Sequence, residues 1–131
     1  MTAETQRRQA FLDKIVPLVV KQGKRSVDER GKCLYRGPNG LKCAIGFAIP
    51  DDRYDPNMDG NYVASVVLQL WRGVVVEGLQ ADDAAFADAV QSAHDKASGE
   101  GRAFITDFME RVRKVAERFG LTVPQIEGNP Q

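Results

Sequence analysis

One stretch of this 131-residue chain admits a single reading. Phe104, Ile105, Phe108, Met109, Val112, Val115, Ala116 and Phe119 recur at helical spacing. That spacing puts the apolar side chains on one face of an α-helix and does not fit the alternation of a strand. Gly120 is a natural stop. On the other face, Asp107 and Arg111, and Glu110 and Lys114, stand four residues apart, where opposite charges meet on a helix. An apolar face of this width has to be buried, so the rest of the chain must supply elements that pack on it.

The remaining periodicity predicts further helices. Phe11, Ile15, Leu18 and Val19 place one over about Thr5 to Gln22, ended by Gly23 and kinked at Pro17, whose ring removes a backbone donor. Phe86, Val90, Ala93 and Ala97 mark the buried stripe of another, over about Asp82 to Ala97, with Asp82 and Asp83 favourable in its first turn. A third is expected from Asn61, as cap, to Trp71, followed by the β-prone run Val74-Val75-Val76. The compact apolar segment Cys43–Ile49 reads as a short buried helix stopped by Pro50, with Gly46 permitting close packing. Before it, Gly37-Pro38-Asn39-Gly40 has the composition of a tight turn. The expected fold is therefore mostly α, with minor β. It is a compact bundle of about five helices with a small β-hairpin near residues 33–42. The expectation is one domain over 1–131, with an ordered core over about 5–120 and a loose tail at 121–131.

Composition removes several function classes. Apolar residues are 43% of the chain and charged residues 27%, with a formal net charge of zero, which is a foldable balance and not that of a disordered chain. No apolar run reaches the ~20 residues of a membrane span. The polar start Met1–Gln9 does not resemble an export signal, so a cytoplasmic, reducing setting is expected. The zero conceals a pattern. Residues 1–50 carry ten basic and four acidic side chains, residues 51–100 three and ten, and residues 101–131 five and four. Neutrality argues against a bulk nucleic-acid binder. The one basic face that would serve such a role is on and just after the first helix: Arg7, Arg8, Lys14, Lys21, Lys24 and Arg25. The alternative is that basic and acidic blocks pack together and neutralise each other.

Four chemistries compete for the remaining residues. Cys43, at the expected start of a helix, with His94 and Asp95, is a candidate nucleophile set, because helix N-termini lower thiol pKa and a His–carboxylate pair activates a thiol. Adjacent helix positions diverge by about 100°, so Asp95 is not expected to orient His94. Cys33, Cys43 and His94 are the only soft ligands for zinc, but nine residues separate the cysteines, where structural sites use two to four. Asp55-Pro56-Asn57-Met58-Asp59-Gly60 matches the first half of an EF-hand loop, whose twelfth position is Val66 instead of Glu. No cofactor, zinc and calcium included, is therefore expected. Finally, Tyr35, Arg36, Arg53, Tyr54, Tyr62, Trp71 and Arg72 cluster the residue types enriched at binding hot spots.

The central stretch runs Cys33-Leu34-Tyr35-Arg36-Gly37, Gly40-Leu41-Lys42-Cys43-Ala44-Ile45-Gly46, and Ile49-Pro50-Asp51 with Tyr54. It resembles a group of small uncharacterised proteins of phages, prophages and their hosts, which share C-x-YRG, G-x-x-CAxG and I-x-(D/E)-x-x-Y segments. The Ala93-His94-Asp95 step and the closing helix are also similar, so the resemblance spans about residues 10–120. Relatives often carry His where this chain has Phe47, which weakens a metal or catalytic reading. The resemblance implies a phage-linked accessory protein that binds a host protein, defence proteins among them. The functional expectation is thus a non-enzymatic interaction protein that contacts its partner through Tyr35, Arg36, Arg53, Tyr54, Trp71 and Arg72. The alternatives are a small thiol hydrolase using Cys43 and His94, and a metal-stabilised module.

Overall fold

A computed structural model describes residues 2–56 and 76–126. The expected helix at 61–71, the residues Tyr62, Trp71 and Arg72, and most of the EF-hand-like loop lie outside the described residues. Within them the chain is mostly helical, and the α-helices are three: α1 (Ala3–Gln22), α2 (Ala84–Lys96) and α3 (Arg102–Phe119). Single 3-10 turns at Pro38–Gly40, Ile45–Ala48, Asp51–Arg53 and Ala81–Asp83 fill part of the interval between α1 and α2. No described helix is long and apolar enough to cross a membrane.

α1 begins two residues earlier than its periodicity indicates. Thr2 caps it, its hydroxyl accepting the Thr5 N–H at 3.1 Å, which satisfies one of the donors a helix start leaves open. Gly23 closes the helix in the left-handed region at φ 73°, where a side chain would be strained. The helix runs through Pro17 as one element. The carbonyl that Pro17 leaves without a donor belongs to Asp13, on an exposed turn. The buried stripe is Phe11, Leu12, Ile15, Val16 and Val19; Leu18 is instead exposed.

α3 matches its sequence pattern closely. Phe104, Phe108, Val112, Val115 and Ala116 are buried, Ile105, Met109 and Phe119 are partly buried, and Gly120 caps it at φ 70°. α3 packs on α2, whose Phe86, Ala87, Val90 and Ala93 face inward. Phe86 ties the layers together, meeting Phe11 of α1 and Phe119 of α3 edge to face, with centroids 6.1 and 5.3 Å away. On the outer face of α3, Asp107 pairs with Arg111 as expected, at 3.0 Å. Glu110, however, bonds Arg113 at 2.6 Å in place of Lys114, and Arg113 also reaches Glu117 at 2.8 Å.

Two expectations are corrected. Of the bundle of about five helices, three α-helices stand among the described residues: the one expected at 61–71 lies outside them, and Cys43–Ile49 forms only one 3-10 turn. Phe47 N–H reaches the Cys43 carbonyl, Ile49 N–H then closes on Gly46, and the chain leaves in extended conformation before Pro50. The hairpin near 33–42 does not form strands among the described residues. Two isolated antiparallel bridges, Val27 with Cys33 and Arg36 with Lys42, each close one loop. The first arm turns to other partners, Cys33 bridging Val27 and the Leu34 N–H bonding the Ser26 carbonyl, and soon after Cys43 the second arm enters the 3-10 turn at Ile45, so the two arms part after one bridge. Of the tail expected to be loose, the described residues 121–126 lie against the core. Gln9 exchanges hydrogen bonds with Thr122 (2.8 and 3.0 Å), Pro124 is buried, and Leu121, Val123 and Ile126 pack on the core.

Charge compensation holds α1 to the segment before α2. The Asp83 carboxylate is wholly buried. It accepts Arg7 Nε at 2.6 Å, Arg7 Nη2 at 2.9 Å, Arg8 Nε at 2.9 Å and the Gln80 N–H at 2.9 Å. Arg8 also donates to the Asp82 carbonyl and lies over the rings of Phe86 and Phe119. Burial pushes the Asp83 carboxyl up, but the bonds from Arg7, Gln80 and Arg8 outweigh it and hold it below the usual range. Lys14 faces Glu77 at 3.7 Å, and Arg36 meets Asp51 at 2.7 Å. These pairs join the basic first block to the acidic middle block.

Candidate functional site

The sequence candidates converge around Asp95, near the end of α2. His94 is fully buried, its ring edge-on to Phe104 with centroids 6.0 Å apart. Its Nδ1 lies 3.0 Å from Asp95 Oδ1, so the adjacent residue does orient the imidazole, contrary to expectation. The geometry works because the helix ends there. Ala97 is already extended, and the Asp95 side chain can fold back toward the preceding residue. Gln91, one turn earlier, donates Nε2 to both Asp95 oxygens at 3.0 and 3.2 Å. The Cys33 thiol also hydrogen-bonds Asp95. Arg25 donates to the Asp95 backbone carbonyl at 3.1 Å, a cation at the negative end of α2.

This constellation differs from an activated nucleophile. Burial pushes the Cys33 thiol up to about 11, and the Asp95 charge and hydrogen bond act in the same direction. A thiol that donates to a carboxylate keeps its proton. Cys43, the expected nucleophile, is fully buried, and its sulfur accepts the Gly46 N–H at 3.3 Å. His94 Nε2 is buried with no hydrogen-bond partner, so it is not bonded to the Cys43 sulfur. Cys33, Asp95 and His94 are thus brought together, while Cys43 is engaged by its own turn. No group of three or more His, Cys, Asp or Glu side chains among the described residues is arranged to hold a metal ion.

Gln91 is a residue that sequence reasoning missed. It is buried, and its Oε1 accepts the Ile45 N–H at 3.0 Å while its amide binds Asp95. One side chain thereby ties the central 3-10 turn to the end of α2. The available signal was its position one turn before His94 and Asp95, next to the stripe residue Val90.

The signature residues are largely occupied in holding the central loops. A Cβ at Gly46 would collide with the Tyr35 backbone carbonyl, so this position needs glycine for close backbone approach, and one at Gly37 would press on the Ser26 hydroxyl. Tyr35, expected at a binding surface, is 4% exposed and belongs to the core. Arg36, expected beside it, is a strut. Its Nη2 donates to the Ile49 carbonyl at 2.6 Å, its Nη1 meets Asp51 at 2.7 Å, and its guanidinium lies 5.0 Å from the Tyr54 ring centroid. Above this strut, Asp51, Asp52 and Arg53 are exposed and Tyr54 is half-buried.

The fold and site define a small, mostly helical domain whose distinctive residues fix a central loop. Comparison with protein-family models, with curated proteins and with solved structures finds no match for the chain.

Proposed function

We propose that the chain is a non-enzymatic interaction protein that presents the Asp51–Arg53 turn, with Tyr54 beside it, to a protein partner. The observation that supports this is the Arg36 strut. It fixes the turn from beneath by a carbonyl bond, an ion pair and a ring contact, and leaves Asp52 and Arg53 in solvent. A turn held this way loses little conformational entropy when a partner docks, and rigidly mounted exposed loops are where recognition residues concentrate. The resemblance to phage and prophage proteins extends the proposal to a phage-linked accessory protein acting on a host protein, including a defence protein. The test is affinity capture with the wild-type chain and with an Arg53→Glu, Tyr54→Ala double variant of unchanged melting temperature. A partner held by the wild type and lost by the variant supports the reading. Identical recovery by both refutes the surface.

Thiol hydrolysis is the second reading, with the His94–Asp95 contact in its favour and the burial of Cys43 away from a His94 bond against it. It requires Cys43 to alkylate faster than Cys33 at neutral pH. Equal, slow labelling of both removes it.

A further inference from the structure

α2 and α3 meet along matched faces. Ala89, Ser92, Ala93 and Lys96 recur at i, i+3, i+4 and i+7 on α2; Arg111, Lys114, Val115 and Arg118 do the same on α3. Between them runs an open groove of about 250 Å³. Its floor is small and apolar, made by Ala89, Ala93 and Val115, and its rim carries Lys96, Arg111, Lys114 and Arg118. None of the lining residues is acidic. Three carboxylates of the adjoining turns of α3 are already bonded, Asp107 by the rim residue Arg111 itself. Asp107 accepts the Ser98 N–H and hydroxyl as well as Arg111, and Glu110 and Glu117 are bonded by Arg113. Two of the rim cations are held in place, Arg111 by Asp107 at 3.0 Å and Arg118 over the Phe119 ring at 4.8 Å.

Lys96, Lys114 and Arg118, beside the Asp107-paired Arg111, crowd positive charge around one small depression, and the repulsion among them is relieved when an anion enters. We infer that this groove binds a small organic phosphate ester with at least two phosphate groups, of the nucleoside diphosphate class. The phosphates sit among Lys96, Arg111, Lys114 and Arg118, where the planar guanidinium of Arg111 and the mobile ammonium groups suit phosphate oxygens. The organic part lies on the Ala89, Ala93 and Val115 floor. The groove is small, about 250 Å³. It falls below the ~300–1,000 Å³ of a pocket that encloses a drug-sized ligand, so it takes a phosphate head and one face of the attached group.

Titration calorimetry on the intact chain tests the site, with ADP, adenosine, inorganic tripolyphosphate and an oligoglutamate peptide as probes. The expected result is ADP binding that weakens from about 0.01 M to about 0.15 M ionic strength. Adenosine should bind at least roughly tenfold more weakly, and tripolyphosphate more weakly than ADP. Lys96→Glu and Lys114→Glu should each cost roughly tenfold or more, as for loss of a charge-assisted hydrogen bond. Lys24→Glu, an equal charge change on an exposed residue beyond α1, should leave ADP binding unchanged. Absence of ADP binding at low salt overturns the inference, as does equal weakening by Lys24→Glu. Tripolyphosphate or oligoglutamate binding as tightly as ADP also overturns it, since either means that the groove reads charge alone.

Discussion

Asp83 offers the sharpest check on how the domain is held together. Its carboxylate is wholly buried and accepts four hydrogen bonds, three from Arg7 and Arg8 and one from the Gln80 backbone. Asp83→Ala leaves two guanidinium groups and one N–H without their acceptor. Removing one partner of a buried ion pair costs about 3–5 kcal/mol. The side chains of Arg7 and Arg8 retain 20% and 12% of their exposure, so water partly rescues them and the loss should fall near ~3 kcal/mol, the lower end of that range. For a domain of ~5–15 kcal/mol total stability this is a large fraction. In urea, with a slope of ~1–3 kcal/mol/M, the midpoint should fall by roughly 1–3 M. An Arg7→Met, Asp83→Ala pair in a double-mutant cycle should show coupling above ~1 kcal/mol, because the residues touch. The pH dependence carries an independent signature. The folded carboxyl titrates below its unfolded value of ~3.9. The pair therefore contributes fully above that unfolded value, and the contribution is lost as pH falls through the folded value. Asp83→Asn should flatten the acid limb of the stability profile in that window. A midpoint change smaller than ~0.3 M at unchanged slope, or an acid limb identical to wild type, would refute the assignment of Asp83 as the tie between α1 and α2.

Three further outcomes are expected. Gly46→Ala should destabilise by about 1–3 kcal/mol or more in thermal melts, since the new methyl meets backbone and not a yielding side chain; a neutral result would contradict the close approach of Tyr35. Cys33 should alkylate slowly at neutral pH and accelerate only as pH nears about 11, and Asp95→Asn should move that acceleration to lower pH by removing the negative charge beside the thiol. Arg36→Met should keep the helices, by circular dichroism, but raise amide exchange in Ile49–Tyr54, since the guanidinium's bonds to the Ile49 carbonyl and Asp51 are lost; unchanged exchange would remove the strut.

The helices were legible where periodicity and caps agree. α3 follows from its apolar stripe and Gly120, and α1 from its stripe and Gly23, because helix spacing and glycine's access to positive φ are local properties. The central loops were not legible in this way. Pro38, Asn39 and Gly40 indicate a turn, but whether strands grow from it depends on donors and neighbours far along the chain. The site divides similarly. His94 and Asp95 were recognisable as chemistry-bearing residues. Their contact depends on α2 ending at Lys96, and the upward push on the Cys33 thiol comes from burial and from a carboxylate 62 positions away.

By itself the sequence determined a mostly helical chain, its strongest amphipathic face, and the presence of opposed basic and acidic blocks. Tertiary structure decided what those charges do. Arg7, Arg8 and Arg36 are spent on Asp83 and Asp51, whereas Lys96, Arg111, Lys114 and Arg118 gather around one groove although residues 101–131 are nearly neutral by count. The physical reason is that charge interactions depend on distance and burial in space, and a count along the chain contains neither.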